Sequence, residues 1–377
     1  MTRLLRSELS LVVAGRATLV AGLILFAAGP LFFGPVQLQV GTQFLCLLVL
    51  AMMWNLLAGY ADIVSVGQHA FVGIGAYAFY GFAVLAHVDP YAAILLSGIV
   101  SLAFALPVMI VIFRLRAAYL SVGSWVVAEV LMLGAGKISS VGGGSGVSIP
   151  TAVIKAFGAQ PGTRYQTIYW MSLALASSTF LATYLLMRSR IGLGLTAIRD
   201  DEQGAGAVGV NVTRTRMLCF LWTAPFLGLA GALIALQKLR IAPAASFSIT
   251  DWTVFVIFIV VIGGLGSFEG PIIGTAVFLL LREYLSNLGV WQFIILGAIS
   301  IYMVLTEPRG LWGLVRRKLS VDLIPISRAP NWAGEAARFG GPDGDQTRPT
   351  STPGLSQSPA LFVSVNGTGG RLRRTRP

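Results

Sequence analysis

The sequence predicts an all-α polytopic membrane protein with about ten transmembrane helices. Of its 377 residues, 55% are hydrophobic and only 11% are charged, which excludes a set of ordinary soluble domains. The apolar residues form continuous runs of about 20, the length that crosses ~30 Å of hydrocarbon as a helix. A transmembrane β-barrel would instead show alternating segments of about ten residues. The net charge of +12 falls mainly in short gaps between the runs, so it does not indicate a nucleic-acid-binding surface.

The predicted spans follow one another from residue 17 to residue 306. They cover residues 17–33, 37–59, 70–88, 91–113, 117–136, 166–187, 217–237, 252–265, 271–286 and 290–306. The eighth and ninth are short because glycines and Pro271 interrupt a longer apolar run, and one long tilted helix is the alternative there. The range is therefore eight to ten spans. Cys46 and Cys219 lie inside spans and are expected to pack as small apolar side chains.

The distribution of Lys and Arg predicts that both termini are cytoplasmic. With ten spans, fourteen of these residues lie in cytoplasmic gaps and five in gaps on the opposite side. The chain then divides into a cytoplasmic N-terminus over 1–16, a transmembrane domain over 17–321 with a cytoplasmic loop at 188–216, and a tail over 322–377. The tail is rich in Pro, Gly, Ser, Thr and Arg, so it is predicted to be disordered. The first 30 residues also resemble a secretory signal, although a retained first helix is simpler.

Motifs for ATP hydrolysis, metal binding and nucleophilic catalysis are missing from the sequence. The pattern G-x-x-x-x-G-K-[ST] is absent, and the G-x-G-x-x-G match at 204–209 follows charged residues in place of a buried strand. The chain has two histidines, His69 and His87, and no H-E-x-x-H pattern. We therefore expect no catalytic residue, no metal and no cofactor in this chain, and we expect a partner to supply the energy for any transport.

Two glycine-rich segments interrupt the apolar runs, one in each half of the chain. The first, 59–77, carries Asp62, Ser65, Gln68 and His69, and the second, 263–271, carries Glu269. Non-helical backbone at membrane depth persists only where it is buried in protein or lines a cavity. Paired interruptions in two halves are typical of a transport path. The alternative is that glycines spaced four apart, at 266, 270 and 274, merely let helices pack closely.

Two charged features add to this pattern. Glu129 lies near the middle of the fifth predicted span, where an acid costs about 2.5–3.5 kcal/mol on insertion scales. We expect it to face the bundle, in a structural or a functional role. In the loop 188–216, Asp200, Asp201 and Glu202 suit the first turn of a short helix, which could dock in a groove on a soluble partner. A solvated loop is the alternative.

Several segments taken together resemble the LivM-type permease of branched-chain amino acid ABC importers. They are Trp54-Asn-Leu-Leu-Ala-Gly-Tyr60, Ser65-Val-Gly-Gln-His-Ala-Phe71, Gly73-Ile-Gly-Ala-Tyr77, Gly192-Leu-Gly-Leu-Thr-Ala-Ile-Arg-Asp-Asp-Glu202 and Gly263-Gly-Leu-Gly-Ser-Phe-Glu-Gly-Pro271. The resemblance covers about residues 37 to 312. It departs from the family at Gly204 and Gly206, where glycine lowers helix propensity by up to ~1 kcal/mol each.

The resemblance implies a multi-pass permease subunit of the bacterial inner membrane. Its implied partners are a second, LivH-like permease, two cytoplasmic ABC ATPases that bind the ATP, and a soluble solute-binding protein. The implied function is translocation of branched-chain or other hydrophobic amino acids by alternating access. A permease for urea or short amides is the alternative within transport, and a membrane-embedded enzyme acting on lipid is the alternative from another class.

The resemblance and the broken segments together select two sets of candidate residues. The set for ATPase coupling is Arg199, Asp200, Asp201, Glu202 and Gly209. The set for the substrate pathway is Asn55, Ser65, Gln68, His69, Glu129, Gly264, Ser267 and Glu269. The sequence leaves the exact solute open, and also whether the permease pairs with a copy of itself or with a different chain.

Overall fold

The computed structural model describes residues 26–30, 32–115, 117–307 and 309–319, and this part of the chain is almost wholly helical. The predicted N-terminus (1–16) and tail (322–377) lie outside the described residues, as does most of the first predicted span (17–33). The prediction of an all-α membrane protein is confirmed for the rest.

Fourteen helices are labelled here in chain order within the described ranges from residue 35 onward. They are α1 Pro35–Asn55, α2 His69–Tyr80, α3 Pro90–Ile112, α4 Ala117–Lys137, α5 Thr151–Ala156, α6 Pro161–Arg188, α7 Arg190–Asp200, α8 Glu202–Ala207, α9 Val212–Lys238, α10 Pro243–Ser246, α11 Phe255–Gly263, α12 Gly270–Leu285, α13 Trp291–Thr306 and α14 Gly310–Leu319. Wider π-helical turns extend three of them, at Leu56–Tyr60 after α1, Gly81–Leu85 after α2 and Thr250–Val254 before α11. Short 3₁₀ turns lie at Ser139–Val141, Gly143–Ser145 and Ser286–Leu288.

Six helical stretches in the described residues are long and apolar enough to cross a membrane. They are Pro35–Tyr60, Pro90–Ile112, Tyr119–Lys137, Pro161–Arg188, Val212–Lys238 and Pro243–Gly263. The bent pair Trp291–Thr306 and Gly310–Arg317 makes a seventh if it is one span. The helices at His69–Leu85 and Gly270–Leu285 are shorter, so the count of ten stays a prediction. The single long helix considered for this region is wrong, because non-helical backbone separates α11 from α12.

The most enclosed helix is α1, whose residues Val49, Leu50, Ala51 and Met53 are fully buried. Around it the helices touch at small residues. A Cβ on Gly75 of α2 would lie 2.0 Å from the carbonyl oxygen of Gly228 in α9, so these two backbones are in direct contact. By contrast, α3 and α4 expose much of their apolar surface, which is the surface expected to meet lipid or another membrane protein.

A two-stranded antiparallel ribbon closes one end of the bundle. β1, Val147–Ser148, pairs with β2, Arg240–Ile241, and Val147 lies opposite Ile241. Both strands belong to gaps that the charge distribution predicts on the non-cytoplasmic side. Several segments predicted on the cytoplasmic side meet at another set of contacts, described next, and the orientation itself stays a prediction.

Candidate functional site

The first glycine-rich segment is a non-helical stretch, 61–68, between the π-helical turn after α1 and the start of α2. Its side chains alternate, since Ala61, Ile63 and Ser65 are buried while Asp62 and Val64 are exposed. Such alternation is the period of extended backbone, apart from Asp62, whose φ is +54°, and residues 61–68 are called the extended segment below. This segment lacks helical partners for most of its backbone groups, so other elements must supply them.

Side chains from three helices supply these partners. The Trp54 Nε1 of α1 donates to the carbonyl of Ser65 at 2.8 Å. The Ser124 hydroxyl of α4 accepts from the backbone N–H groups of Val66 and Gly67, each at 3.1 Å. From the same helix the Ser121 hydroxyl donates to the carbonyl of Val64. Arg216 of α9 donates from Nε to the carbonyl of Ala61 at 2.8 Å. These bonds therefore hold residues 61–68, the first broken segment, in one conformation. Sequence reasoning did not identify its four supports, Trp54, Ser121, Ser124 and Arg216.

The second glycine-rich segment, 264–269, lies directly against the first. The Nδ2 of Asn55 donates to the carbonyl of Ser267 at 2.7 Å, and its Oδ1 accepts from the N–H of Gly266 at 2.8 Å. A Cβ on Gly59 would lie 2.5 Å from the backbone nitrogen of Gly266, whose φ is +71°. Only residues without a side chain fit this approach. The two interruptions that the sequence places in separate halves thus form one site.

The second segment is also held by hydrogen bonds within itself. The Ser267 hydroxyl donates to the carbonyl of Gly264 at 2.6 Å and accepts from the N–H of Gly270 at 3.1 Å. Glu269, which immediately precedes α12, is buried with 7% of its surface exposed. Asn55, Gly264, Ser267 and Glu269 are therefore brought together at one end of α1, as a shared role requires.

Gln68 and His69 lie deeper in the bundle, against the π-helical turn before α11. The Nε2 of Gln68 donates to the carbonyl of Trp252 at 2.7 Å. The Nδ1 of His69 lies 3.1 Å from the carbonyl of Val66 and 3.0 Å from the hydroxyl of Thr253. Because a carbonyl can only accept, Nδ1 carries the proton and Nε2 is an acceptor in the neutral ring.

Two acceptor atoms at this place have no partner. The Oε1 of Gln68 and the Nε2 of His69 are buried and make no hydrogen bond within the part of the chain that the structure describes. Buried polar atoms are rarely left unpaired, and π-helical turns are frequent at functional sites. The arrangement suits a hydrogen-bond donor from outside the chain, such as a water molecule or the ammonium group of a ligand.

Glu129 does not face the interior of this chain, and the expectation from the sequence is corrected here. The inward side of α4 is occupied by Leu120, Ser124 and Ala128, which are buried against the extended segment and its neighbours. Glu129 is half-buried on the opposite side, beside the exposed Val126, and accepts a hydrogen bond from the Nε1 of Trp125 at 3.1 Å. The carboxylate therefore lies at the partly exposed side of the single chain, although it is near enough to His69 for their charges to interact.

The predicted loop 188–216 consists largely of helices α7 and α8 and the beginning of α9. Asp201 caps α8 and accepts from the N–H of Gln203 at 3.0 Å, and Glu202 is the first residue of that helix. Asp200 instead ends α7 and pairs with Arg199 at 2.9 Å, so its assignment to the first turn of the short helix is wrong. Gly209, with φ +93°, makes the turn after α8.

Arg216 joins α8 to the first broken segment, 61–68. Its two terminal nitrogens lie 3.0 and 3.1 Å from the carboxylate oxygens of Glu202. One of them also lies 3.3 Å from the Oδ2 of Asp62. The Arg216 side chain is 17% exposed, whereas those of Asp62 and Glu202 are 68% and 53% exposed. Half-exposed ion pairs contribute about 0–1 kcal/mol, so this arrangement matters more for geometry than for stability.

A cavity of about 860 Å³ opens at the same end of the bundle, between the two broken segments, α7 and α14. Arg199 borders it and also places its guanidinium 5.7 Å from the centre of the Tyr60 ring. Among the described residues no three His, Cys, Asp or Glu side chains form a group that could hold a metal ion.

Comparisons with known proteins agree on one kind of molecule. A family model described as the permease component of the branched-chain amino acid transport system matches residues 37–307. The chain is 26% identical over 330 residues to the high-affinity branched-chain amino acid transport permease LivM of Salmonella typhimurium, and equally to that of Escherichia coli. Each match covers 80% of this chain and 76% of the relative.

Two archaeal proteins of Methanocaldococcus jannaschii are also similar. The probable permease LivM is 24% identical over 52% of this chain and 61% of the relative. The probable permease LivH is 25% identical over 41% of this chain and 51% of the relative. No solved structure matches the chain.

Proposed function

Because this chain belongs to the family of branched-chain amino acid transport permeases, we propose that it is one membrane subunit of an ABC importer in a bacterial inner membrane. It carries branched-chain or other hydrophobic amino acids inward by alternating access. The observation that carries this proposal is the contact of the two broken segments through Asn55. Arg216 in turn links the first of these segments, at Ala61, to Glu202 at the start of α8. Helical permeases move solutes where interrupted helices meet, since such backbone can rearrange without exposing unpaired groups to lipid.

The unpaired acceptors of Gln68 and His69 support an amino acid as the solute. Both atoms require a donor, and the ammonium group of an amino acid offers three. The N–H groups of urea or a short amide would also satisfy these acceptors, so a permease for such solutes is the competing proposal.

The proposed partners are those that the family implies, and the charged residues suggest where two of them bind. Two cytoplasmic ABC ATPases bind and hydrolyse the ATP, and one of them contacts α8, where Asp201, Glu202 and Arg216 would pass its movement to the 61–68 segment. A second permease covers the outer side of α4, because an intramembrane carboxylate such as Glu129 is costly against lipid. A soluble binding protein delivers the solute at the end closed by β1 and β2.

Double substitution of Asp201 and Glu202 by Ala in the co-expressed importer tests the coupling. The Asp201 cap of α8 and the bonds between Glu202 and Arg216 are lost, so we expect less ATPase to copurify and the uptake of radiolabelled leucine to fall at least tenfold. As a matched control, Asp89→Ala removes the cap of α3, away from α8, and should leave copurification unchanged. Intact copurification together with intact uptake in the double variant would refute the proposal. Comparison of leucine and urea uptake by the unmodified importer decides between the two solute classes.

A further inference from the structure

The 860 Å³ cavity is lined by an unusual number of arginines. Four line it, namely Arg199, Arg309, Arg316 and Arg317, and the only acids that line it are Asp62 and Glu307. Its lining therefore carries a net charge of +2 from the described side chains. Cavities of 300–1,000 Å³ are the size that proteins use for small ligands.

Both acids already form ion pairs with arginines. The Oε1 of Glu307 lies 2.9 Å from the terminal nitrogen of Arg317, and the carboxylate of Asp62 binds Arg216 outside the cavity lining. Arg199 pairs with Asp200, which also lies outside the lining. Arg309 makes no ion pair with any residue that the structure describes. The arginines of the lining thus outnumber its acids by four to two.

The walls of the cavity come from both broken segments, from α7 and from α14. Gly59 belongs to the turn before the first broken segment, Gly266 belongs to the second, and Arg199 lies on α7. The last wall is α14, a ten-residue helix that exposes Arg316 and Arg317 and buries Trp312. A helix with a basic side and a buried aromatic is typical of the membrane interface, and basic pockets at this depth bind lipid head groups.

We propose that this cavity is a binding site for a phosphate-bearing anion, either the head group of an acidic phospholipid or a small soluble phosphate compound. Guanidinium groups bind phosphate oxygens through two parallel hydrogen bonds, so several arginines around one cavity favour this chemistry. The arginines lie on α7, on α14 and in the turn before α14, so a bound phosphate joins these elements beside the two broken segments and stabilises the arrangement seen here.

The test measures binding to the purified full-length chain, without ATPases and without transport, so its result is independent of the proposed function. The thermal unfolding midpoint is followed against dioctanoyl phosphatidylglycerol, against glycerol 3-phosphate, and against dioctanoyl phosphatidylcholine as a lipid of equal chain length and no net charge. A rise with phosphatidylglycerol alone supports the lipid head group, and a rise that glycerol 3-phosphate also produces supports the soluble compound. If neither anion raises the midpoint above the phosphatidylcholine value, the proposal is wrong.

Two variants place the binding in the cavity. The double variant Arg309→Gln and Arg316→Gln removes two guanidinium groups from the lining, and we expect the binding to weaken about tenfold or more. The control Arg214→Gln removes one positive charge from an exposed position outside the lining and should bind as the unmodified chain does. Equal binding by the double variant, or an equal loss in the control, would overturn the assignment, because the effect would then be one of general charge.

Discussion

The side-chain oxygen of Asn55 accepts a hydrogen bond from the backbone N–H of Gly266 at 2.8 Å, although 211 residues separate the two along the chain. The nitrogen of the same amide donates to the next carbonyl, that of Ser267, at 2.7 Å. Asn55 is 4% exposed, whereas Gly266 and Ser267 are half-buried, so the bonds lie at the edge of the buried interior. The Asn55 side chain therefore holds the second glycine-rich segment, 264–269, against α1, the helix that leads into the first glycine-rich segment.

Replacement of Asn55 by Asp should break this contact with almost no change in shape. The oxygen facing Gly266 is kept, but the donor to Ser267 becomes a second acceptor, which leaves a half-buried carbonyl facing a carboxylate without its donor. We expect a loss of about 1–3 kcal/mol in the free energy of unfolding and at least a tenfold loss of leucine uptake. Thermal unfolding and vesicle uptake measure the two effects.

The matched control for Asn55→Asp is Gln237→Glu. Gln237 also donates from a side-chain amide to a distant backbone carbonyl, that of Gln39 at 2.8 Å, but at a partly exposed position near the other end of the bundle. Water can replace this bond, so little change is expected. Normal uptake by Asn55→Asp would show that the contact is not part of the transport cycle.

The close approach of Gly59 and Gly266 predicts a steric effect. A methyl group on Gly59 would lie 2.5 Å from the backbone nitrogen of Gly266, and backbone atoms have no rotamer with which to move aside. Gly59→Ala should therefore separate the two segments and cost about 1–3 kcal/mol in stability, with loss of uptake. The control is Gly134→Ala in α4, where a methyl group meets nothing within 4 Å and raises helix propensity by up to ~1 kcal/mol. Equal stability of the two variants would contradict a direct contact between the two glycines.

The hydrogen bonds of the Ser124 hydroxyl predict that the extended segment depends on α4 for its stability. Ser124→Ala leaves the N–H groups of Val66 and Gly67 without their acceptor, and Ser124 is only 2% exposed. We expect a destabilisation of up to about 1–3 kcal/mol for each unpaired buried group, measured as a lower unfolding midpoint. Ser178→Ala is the control, because Ser178 bonds only the carbonyl of Leu175 within its own helix at 2.8 Å. An unchanged midpoint in Ser124→Ala would mean that water reaches the segment.

Hydropathy and glycine spacing could predict the membrane class, most of the apolar helices and the two interruptions. These signals are local, since a run of apolar residues or a cluster of glycines is visible without knowledge of its neighbours. They could also predict that Asn55, Ser65, Gln68, Ser267 and Glu269 belong to interrupted or adjoining segments.

The supports of the extended segment could not be predicted in this way. Ser121, Ser124 and Trp54 are ordinary residues of apolar helices, and only the fold brings them to the backbone of 64–67. In the sequence Arg216 is visible only as one cytoplasmic charge, although it binds two acids and a carbonyl. The orientation of Glu129 could not be predicted, because the penalty for a membrane carboxylate does not say whether its own chain or a partner covers it.

Arg216 predicts that geometry, and not charge alone, links α8 to the extended segment. Lysine keeps the charge but has one nitrogen in place of three, so it cannot bind Glu202 through two bonds and still reach the carbonyl of Ala61. We expect Arg216→Lys to lower uptake at least fivefold while the unfolding midpoint changes little, because half-exposed ion pairs stabilise weakly. Arg214→Lys, two residues away and exposed, should transport normally. A normal uptake rate in Arg216→Lys would reduce the cluster to a surface ion pair.

The position of Glu129 predicts that its substitution affects transport through a partner outside this chain. Its carboxylate accepts from the Trp125 indole at 3.1 Å on the outer side of α4, and an ionised carboxylate there needs a stronger donor than an indole to offset its transfer from water. Glu129→Gln should therefore lower uptake and the recovery of the second permease, with an unchanged unfolding midpoint of the isolated chain. Trp125→Phe is the control, since it removes the indole donor and leaves the carboxylate. If both variants lose uptake equally, Glu129 serves only to bind Trp125; if only Glu129→Gln loses it, the carboxylate acts on a group that the second permease or the solute supplies.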